Sequence, residues 1–358
     1  MGKKKVFIIA PYCYGIDESI SRAFGSLGFE PYLKSSKIGL KKSEMALFKL
    51  IKEFPFAKAV LNRGVRHFLG GKNDEYLDEI EKFRPDIILI IKGETVFPET
   101  LKKIKEKWKI PCVSYMWDCP FFSYSANSAD IYRKSNFEKG MHLYDHVFVY
   151  DPHYVEELKK RGLTELSYLP LATDMRQYRN VEVSDDEKKE LGYDIAFVGS
   201  PFPNRIEVLD GLRGFKLGVF GDGWRETFKN RAVPPYYKGA ATGEKVLKIY
   251  SSAKIVLNIH DPEARLSVNT RTFDIPACGA FELSDYRPEI EKLFRLGEDM
   301  VCYRDIPELL KLAAYYLENP PERQRIAMNG QKKVASEHTW RHRVGDMVDV
   351  ARKKGLLK

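Results

Sequence analysis

A chain of 358 residues with 44% hydrophobic and 13% aromatic side chains can bury two cores, and its composition is that of a globular protein rather than a fibrous or disordered one. Its longest apolar run, Ile87–Ile91, falls far short of the roughly 20 residues of a membrane span, and Val6–Ala10 after Lys3–Lys5 is too short for a signal-peptide core. A net charge of +9 favours anionic partners, while Cys13, Cys112, Cys119, Cys278 and Cys302 show no paired spacing, so a reducing cytoplasm is expected rather than secretion.

In chain order, KKVFIIA (residues 4–10) reads as a buried parallel strand that enters a loop with Gly15. A helix capped by Asp17 and closed by Gly28 follows. The full G-x-G-x-x-G fingerprint is absent, so a dinucleotide cofactor has no support; Gly15 either contacts a ligand or makes a tight turn. Between Lys34 and Lys72, ten Lys or Arg face only Glu44 and Glu53, which reads either as a solvated helix face or as a surface for anionic lipid or a polyanionic acceptor. Residues 41–69 are expected to be helical, with Leu47, Phe48, Ile51 and Phe54 as an apolar stripe, and a second helix spans Asn73–Phe83. The run from Pro85 to Gly93 contains a fully buried strand, a helix follows near Pro98–Lys107, and the strand Pro111–Met116 ends in Trp117-Asp118-Cys119-Pro120. Ligands of open α/β sheets lie beyond the carboxyl ends of strands, which is where Asp118 falls, beside an aromatic ring able to stack on a sugar. Asp118 is therefore either a catalytic carboxylate or a turn former.

After the strand His146–Tyr150 and the helix His153–Arg161 comes LPLATD, ending at Asp174. Residues 176–192, with the polar run SDDEKKE, read as a linker, and a new α/β series begins at the strand Tyr193–Val198. Gly199 and Ser200 open a loop that enters a helix near Arg205, which reads either as an ordinary βα turn or as a place where Arg205 neutralises a leaving-group phosphate. A strand Leu217–Phe220 leads through Lys238 and Gly239 to the helix Gly243–Ser252. The stretch Lys254–Leu283 then gives a strand (Ile255–Asn258), a polar loop, a short helix opening near Asn269 and a strand Ala280–Leu283. The loop-to-helix junction offers backbone N–H groups at Asn269 and Thr270 and a positive dipole end. Arg271 adds a forked donor for a diphosphate, and Asp274, one turn later, a carboxylate for a ribose diol. The tail is helical; His338 and His342, four apart, lack a third ligand and read as exposed positions.

The same residues resemble a known family. Lys254–Asn258, Asn269, Arg271, Phe273, Asp274 and Ala277–Ala280 follow the pattern N-x-R-x-[FY]-[ED]-x-x-A-C-G of GT-B glycosyltransferases, and most closely of the group similar to CgeB. Phe197–Ser200 with Arg205 and the LPLATD stretch are further points of likeness. The family carries a second acid beside the aspartate of its Trp-x-Asp-Asp-Pro element, where this chain has Cys119. Many retaining members carry two glutamates separated by seven residues; here Asp274 occupies the second position and Leu266 the first, so the pattern selects neither stereochemical outcome.

The resemblance implies an α/β protein of GT-B architecture. Two Rossmann-like domains, an acceptor domain at 1–175 and a nucleotide-sugar domain at 193–337, would face each other across a cleft, joined by 176–192, with the helix of 338–358 crossing back to the first. It implies sugar transfer from a nucleotide diphosphate, UDP-sugar above others, to a glycan, lipid, protein or other polymer. No metal and no resident cofactor are expected, since no D-x-D element ends a strand and helix dipole and arginines can replace a divalent ion. Gly199, Ser200, Arg205, Lys238, Gly239, Asn269, Thr270, Arg271 and Asp274 would hold the donor; Gly15 and Trp117 would face the acceptor, with Asp118 as base. Peripheral association with the inner membrane face is compatible with the charge. A nucleotide-sugar epimerase of the same architecture and a basic nucleic-acid-binding protein stand as rivals, although no helix-turn-helix, RNP or zinc-finger signature supports the latter.

Overall fold

A computed structural model of the chain describes residues 2–13, 15–36, 57–121, 135–229 and 232–358. The chain divides into two compact units, Met1–Pro170 with Trp340–Lys358, and Leu171–Thr339. The stripe expected at Leu47, Phe48, Ile51 and Phe54 lies outside the described residues. Among those described, no helix is long and apolar enough to cross a membrane.

The first unit is built on a parallel sheet of β1 (Lys5–Ala10), β2 (Glu30–Ser35), β3 (Ile87–Ile91), β4 (Cys112–Met116), β5 (His146–Val149) and β6 (Leu166–Tyr168), in the order β2-β1-β3-β4-β5-β6. β3 and β4 are buried at every position, as the strands of a parallel sheet covered on both faces must be. Pairing of Ile8 with Leu89, and of Leu89 with Val113, aligns the strands so that Cys13, Lys92 and Asp118 all follow their carboxyl ends. The crossing helices are α1 (Ile16–Ser26), α2 (Ala57–Phe83), α3 (Pro98–Trp108) and α4 (Pro152–Lys160). The last helix of the chain, Trp340–Lys353, belongs to this unit and packs on α1. Its Trp340 ring stands edge-on to Tyr115 at 6.4 Å, and Arg343 Nε donates to the Pro170 carbonyl at 3.1 Å.

The second unit holds α5 (Asp185–Leu191), β7 (Ile195–Val198), α6 (Pro203–Gly211), β8 (Leu217–Phe220), α7 (Trp224–Thr227), α8 (Glu244–Ser252), β9 (Ile255–Asn258), α9 (Arg271–Ala277), β10 (Glu282–Asp285), α10 (Ile290–Leu293), β11 (Val301–Tyr303), α11 (Ile306–Glu318) and α12 (Pro320–Glu337). Its parallel sheet runs β11-β10-β9-β7-β8. Successive residues point to opposite faces: Ile195, Phe197, Ile255 and Leu257 enter one core, Ala196, Val198 and Val256 the other. In each unit the strand order reverses once, between β1 and β3 and between β7 and β9, and a doubly wound sheet binds ligands at that reversal.

Several expectations need correction. Asp17 does not cap α1; the cap is Gly15, at φ 83°, and Asp17 sits buried in the first turn. The two helices expected around residue 70 form one, since Asn73 donates from inside it to the Leu69 and Thr95 carbonyls at 2.7 and 2.9 Å instead of starting a new helix. SDDEKKE is not a free linker: Ser184 and Glu187 make a capping box for α5, and Leu191 enters the core of the second unit. β10 begins two residues later than expected, because Gly279, at φ 72°, and the Ala280 N–H bond to the Ile275 carbonyl spend those residues leaving α9. His338 is buried, not exposed; its Nε2 lies 3.0 Å from the Leu293 carbonyl, and its ring packs against Phe273 and Phe294.

Candidate functional site

At the reversal of the second sheet, Arg205 reaches from α6 across the gap between β7 and β9. Its Nε donates to the Ile259 carbonyl at 3.0 Å and its Nη1 to the Ser200 carbonyl at 3.1 Å. Only 2% of the residue is exposed, and no carboxylate among the described residues lies within ion-pair distance of it. Burial first, and then the neighbouring charge of Arg271, push its pKa down to about 9, with Asp261 and Asp285 opposing. A buried cation whose hydrogen bonds, among the described residues, go to carbonyls keeps a strong electrostatic demand for an anion.

Gly199 ends β7 and lies directly against Arg271: a Cβ there would meet Arg271 Nη2 at 3.0 Å and the Phe197 ring at 2.8 Å. Its carbonyl accepts from Trp224 Nε1 at 2.8 Å and packs on Gly221, where φ is 139° and a Cβ would come within 2.3 Å of that same oxygen. Gly221 N–H in turn donates to the Gly239 carbonyl at 3.0 Å, so Gly199, Gly221 and Gly239 form one close-packed backbone layer. Lys238 is exposed, with Nζ 2.9 Å from the Pro235 carbonyl.

Arg271 and Asp274 lie on α9, whose start has no side-chain cap on Thr270. Asp274 is buried and accepts from Thr173 Oγ1 at 2.6 Å. Burial lifts its carboxyl pKa to about 7 against the opposing hydrogen bonds of Thr173 and Thr270 and the charge of Arg271. Asp274 also raises the nearby Tyr178 phenol, together with burial. Thr173, from the LPLATD stretch, thus belongs to the second unit and to this site.

Asn269, whose backbone N–H was the expected phosphate donor, also has a structural side chain. Its side chain is buried and exchanges two amide bonds with Asn258, at 2.9 and 3.1 Å, while its Oδ1 accepts from the Thr272 N–H at 3.3 Å. Asn258 Nδ2 also faces Thr272 Oγ1 at 3.1 Å and Glu282 Oε1 at 2.8 Å. Burial raises Glu282 well above the carboxylate range, and its Asn258 bond only partly opposes this. Thr272 Oγ1 lies 3.3 Å from His260 Nε2, and His260 Nδ1 lies 2.5 Å from Asp285 Oδ1. Asp285 also pairs with Arg287 at 3.1 Å. Although burial would raise Asp285, the His260 and Arg287 interactions hold it below the usual range.

In the first unit Lys92 forms an ion pair with Asp118. Lys92 is a non-glycine residue at φ 65°, just past β3. Burial disfavours its charge, but Asp118 and Glu94 carry its pKa above the ordinary lysine value. The Cys13 thiol, between Lys92, Asp118 and Asp17, is pushed up to about 11, chiefly by burial. Trp117 does not offer a sugar-stacking face: it is 5% exposed and packs edge-on to Tyr115 at 6.2 Å. Among the described residues no three His, Cys, Asp or Glu side chains gather as a metal site.

The second unit therefore brings together Gly199, Ser200, Arg205, Arg271 and Asp274, with Thr270 at the head of α9. The first unit brings together Cys13, Lys92 and Asp118, with Gly15 at the head of α1. Sequence reading passed over Lys92, Thr173, Thr272, His260, Glu282 and Asp285. Polar residues at or just past the ends of two adjacent strands, Asn258 ending β9 with His260 after it and Asp285 ending β10, were the available signal.

Residues 204–349 match a family model described as glycosyl transferase-like. The chain is 25% identical over 283 residues to the spore protein CgeB of Bacillus subtilis (strain 168), spanning 74% of this chain and 83% of that protein. Among solved structures it is similar to sucrose-phosphate synthase from Thermosynechococcus elongatus (TM-score 0.67, 12% identity, 98% of this chain and 99% of the other). It is also similar to Anabaena HepE in complex with UDP-glucose (TM-score 0.61, 11% identity, 98% and 99%). With its two parallel sheets and a final helix that rejoins the first unit, the chain has the GT-B fold, and its sequence resembles glycosyltransferases and CgeB.

Proposed function

We propose that the chain transfers a sugar from a nucleotide diphosphate, with a UDP-sugar as the first candidate, and that the second unit holds the donor. The carrying observation is Arg205: a buried guanidinium whose hydrogen bonds, among the described residues, go to carbonyls at the reversal of a parallel sheet, set beside the like charge of Arg271. Two cations that repel each other in a poorly solvated place are stabilised by a dianion, and a pyrophosphate between them would be held in both ground and transition states. Asp274 suits two ribose hydroxyls, Gly199 lets the backbone approach the phosphates, and the backbone near Gly239 would read the base. HepE carries UDP-glucose in its solved complex, which makes UDP the first nucleotide to test.

In this reading the departing diphosphate is neutralised by arginines and amides, without a divalent ion or a resident cofactor. Asp118 takes the acceptor proton, and Lys92 holds its carboxylate in place. The basic balance suits an anionic or glycan acceptor, and association with an anionic membrane surface would follow from the same charge.

The test is a thermal-shift screen over UDP-, GDP-, dTDP- and CDP-sugars, since a bound donor raises the melting temperature by mass action. Arg271→Ala should weaken the hit about 10- to 100-fold, the worth of a lost charge-assisted bond, and Asp274→Ala should weaken it similarly. Calorimetry showing unchanged affinity in both variants refutes the site. Asp118→Asn should keep donor binding and lose transfer by roughly 10²- to 10⁴-fold.

A further inference from the structure

A buried chain of polar groups runs behind α9 from Asp285 through His260 and Thr272 to Asn258. Asp285 is an ionised acceptor and already takes the His260 backbone N–H at 2.9 Å, so the 2.5 Å contact requires His260 Nδ1 to carry a proton. Asn258 Nδ2 has two hydrogens for three oxygens, Asn269 Oδ1, Thr272 Oγ1 and Glu282 Oε1. Thr272 Oγ1 can serve it as acceptor when the threonine hydroxyl proton points elsewhere, and the other polar atom beside it is His260 Nε2, at 3.3 Å. His260 is fully buried, as are Thr272 and Asn258, so no exchange with bulk water blurs these roles. The far end of the chain is the turn itself: Asn269 holds the Thr272 N–H, and Arg271 lies between those two residues.

We propose that His260, oriented by Asp285, is a positioning residue: by accepting the Thr272 hydroxyl proton it fixes the 269–272 turn and, through it, the place of Arg271. This rests on the donor reading above only for its functional consequence; the locking of the turn stands without it. Asp285, at the end of β10, thereby ties α9 to the strand beyond it through His260, at the exit of β9. The arrangement resembles that of a nucleophile, base and carboxylate, but the hydroxyl is enclosed and its partners leave it no substrate to attack.

Full-length variants separate the parts. Thr272→Val keeps the shape and removes the hydroxyl, and Thr272→Ser restores it. His260→Asn keeps a donor toward Asp285 but no acceptor for Thr272, whereas His260→Gln places an acceptor near the former Nε2. Two readouts are needed: amide hydrogen exchange of residues 269–274 without nucleotide, and calorimetric affinity for UDP and UDP-glucose. Ring ¹⁵N shifts of His260 should report a protonated Nδ1 and a bare Nε2. Thr272→Val and His260→Asn should speed exchange in the turn at least tenfold and weaken UDP binding about tenfold. Thr272→Ser and His260→Gln should recover most of both. Unchanged exchange in Thr272→Val and His260→Asn, or equal damage from Thr272→Ser, overturns the proposal. Faster exchange in a protein whose wild type binds neither UDP nor UDP-glucose would support the lock and refute the donor reading instead.

Discussion

Arg205 and Asp274 are both shifted toward neutrality by burial, and of the two the carboxyl changes charge near neutral pH while the guanidinium keeps its proton. A ribose diol donates to a carboxylate, so donor affinity should rise as pH increases through about 7, where Asp274 ionises. Calorimetry across pH 5–9 should trace this rise, and Asp274→Asn should flatten it. The same carboxyl acts on stability with the opposite sign. Its folded pKa lies above its unfolded value, so between about 4 and 7 the unfolded chain has already released the proton that the folded chain keeps. Stability should therefore fall with rising pH across that interval, by at most about 1.4 kcal/mol per unit from this group. Denaturant titrations should show that slope reduced in Asp274→Asn. Arg271 and Asp274 could be singled out from spacing alone, since a helix places residues three apart on one side. The partners of Asp274 could not, because Thr173 lies 101 positions away.

At the scale of elements, the site depends on a strand-to-helix turn pressed against two neighbouring turns. Gly221 sits at φ 139° with the Gly199 carbonyl where its Cβ would be. Gly221→Ala should therefore cost about 1–3 kcal/mol in backbone strain, before the clash with that carbonyl is counted. It should also displace Gly199 from Arg271, so that donor affinity and melting temperature fall together. A variant with unchanged melting temperature would show that the loop relaxes freely. The apolar runs and their period identified most strands to within one or two residues, because a parallel strand buried on both faces has few other readings. Caps were less legible. Asp17 is a good capping residue by type, yet the turn after β1 brings Gly15 to the capping position and turns Asp17 inward.

For the whole molecule, the notable feature is a chain that leaves its first unit at Pro170 and returns to it at Trp340. Trp340 is 3% exposed and lies against Tyr115, so Trp340→Ala should cost about 3–5 kcal/mol in the first unit. Hydrogen exchange should show β4 and α1 losing protection while β7 and β9 keep theirs. Equal loss in both sets of strands would mean that the two units unfold as one.

By itself the amino-acid sequence determined the α/β class and the doubling of the fold, which follow from local periodicity, and it set Arg271 and Asp274 on one side of a short helix; the grouping of Gly199 and Arg205 with them was an implication of the family resemblance. Only the tertiary structure decided that Arg205 bridges β7 and β9, that Trp117 is core, that Lys92 holds Asp118, and that Asp285, His260, Thr272 and Asn258 form one line. Those facts depend on which strand ends lie side by side. Strand order in a doubly wound sheet is set by packing across the whole unit, and no local pattern encodes it.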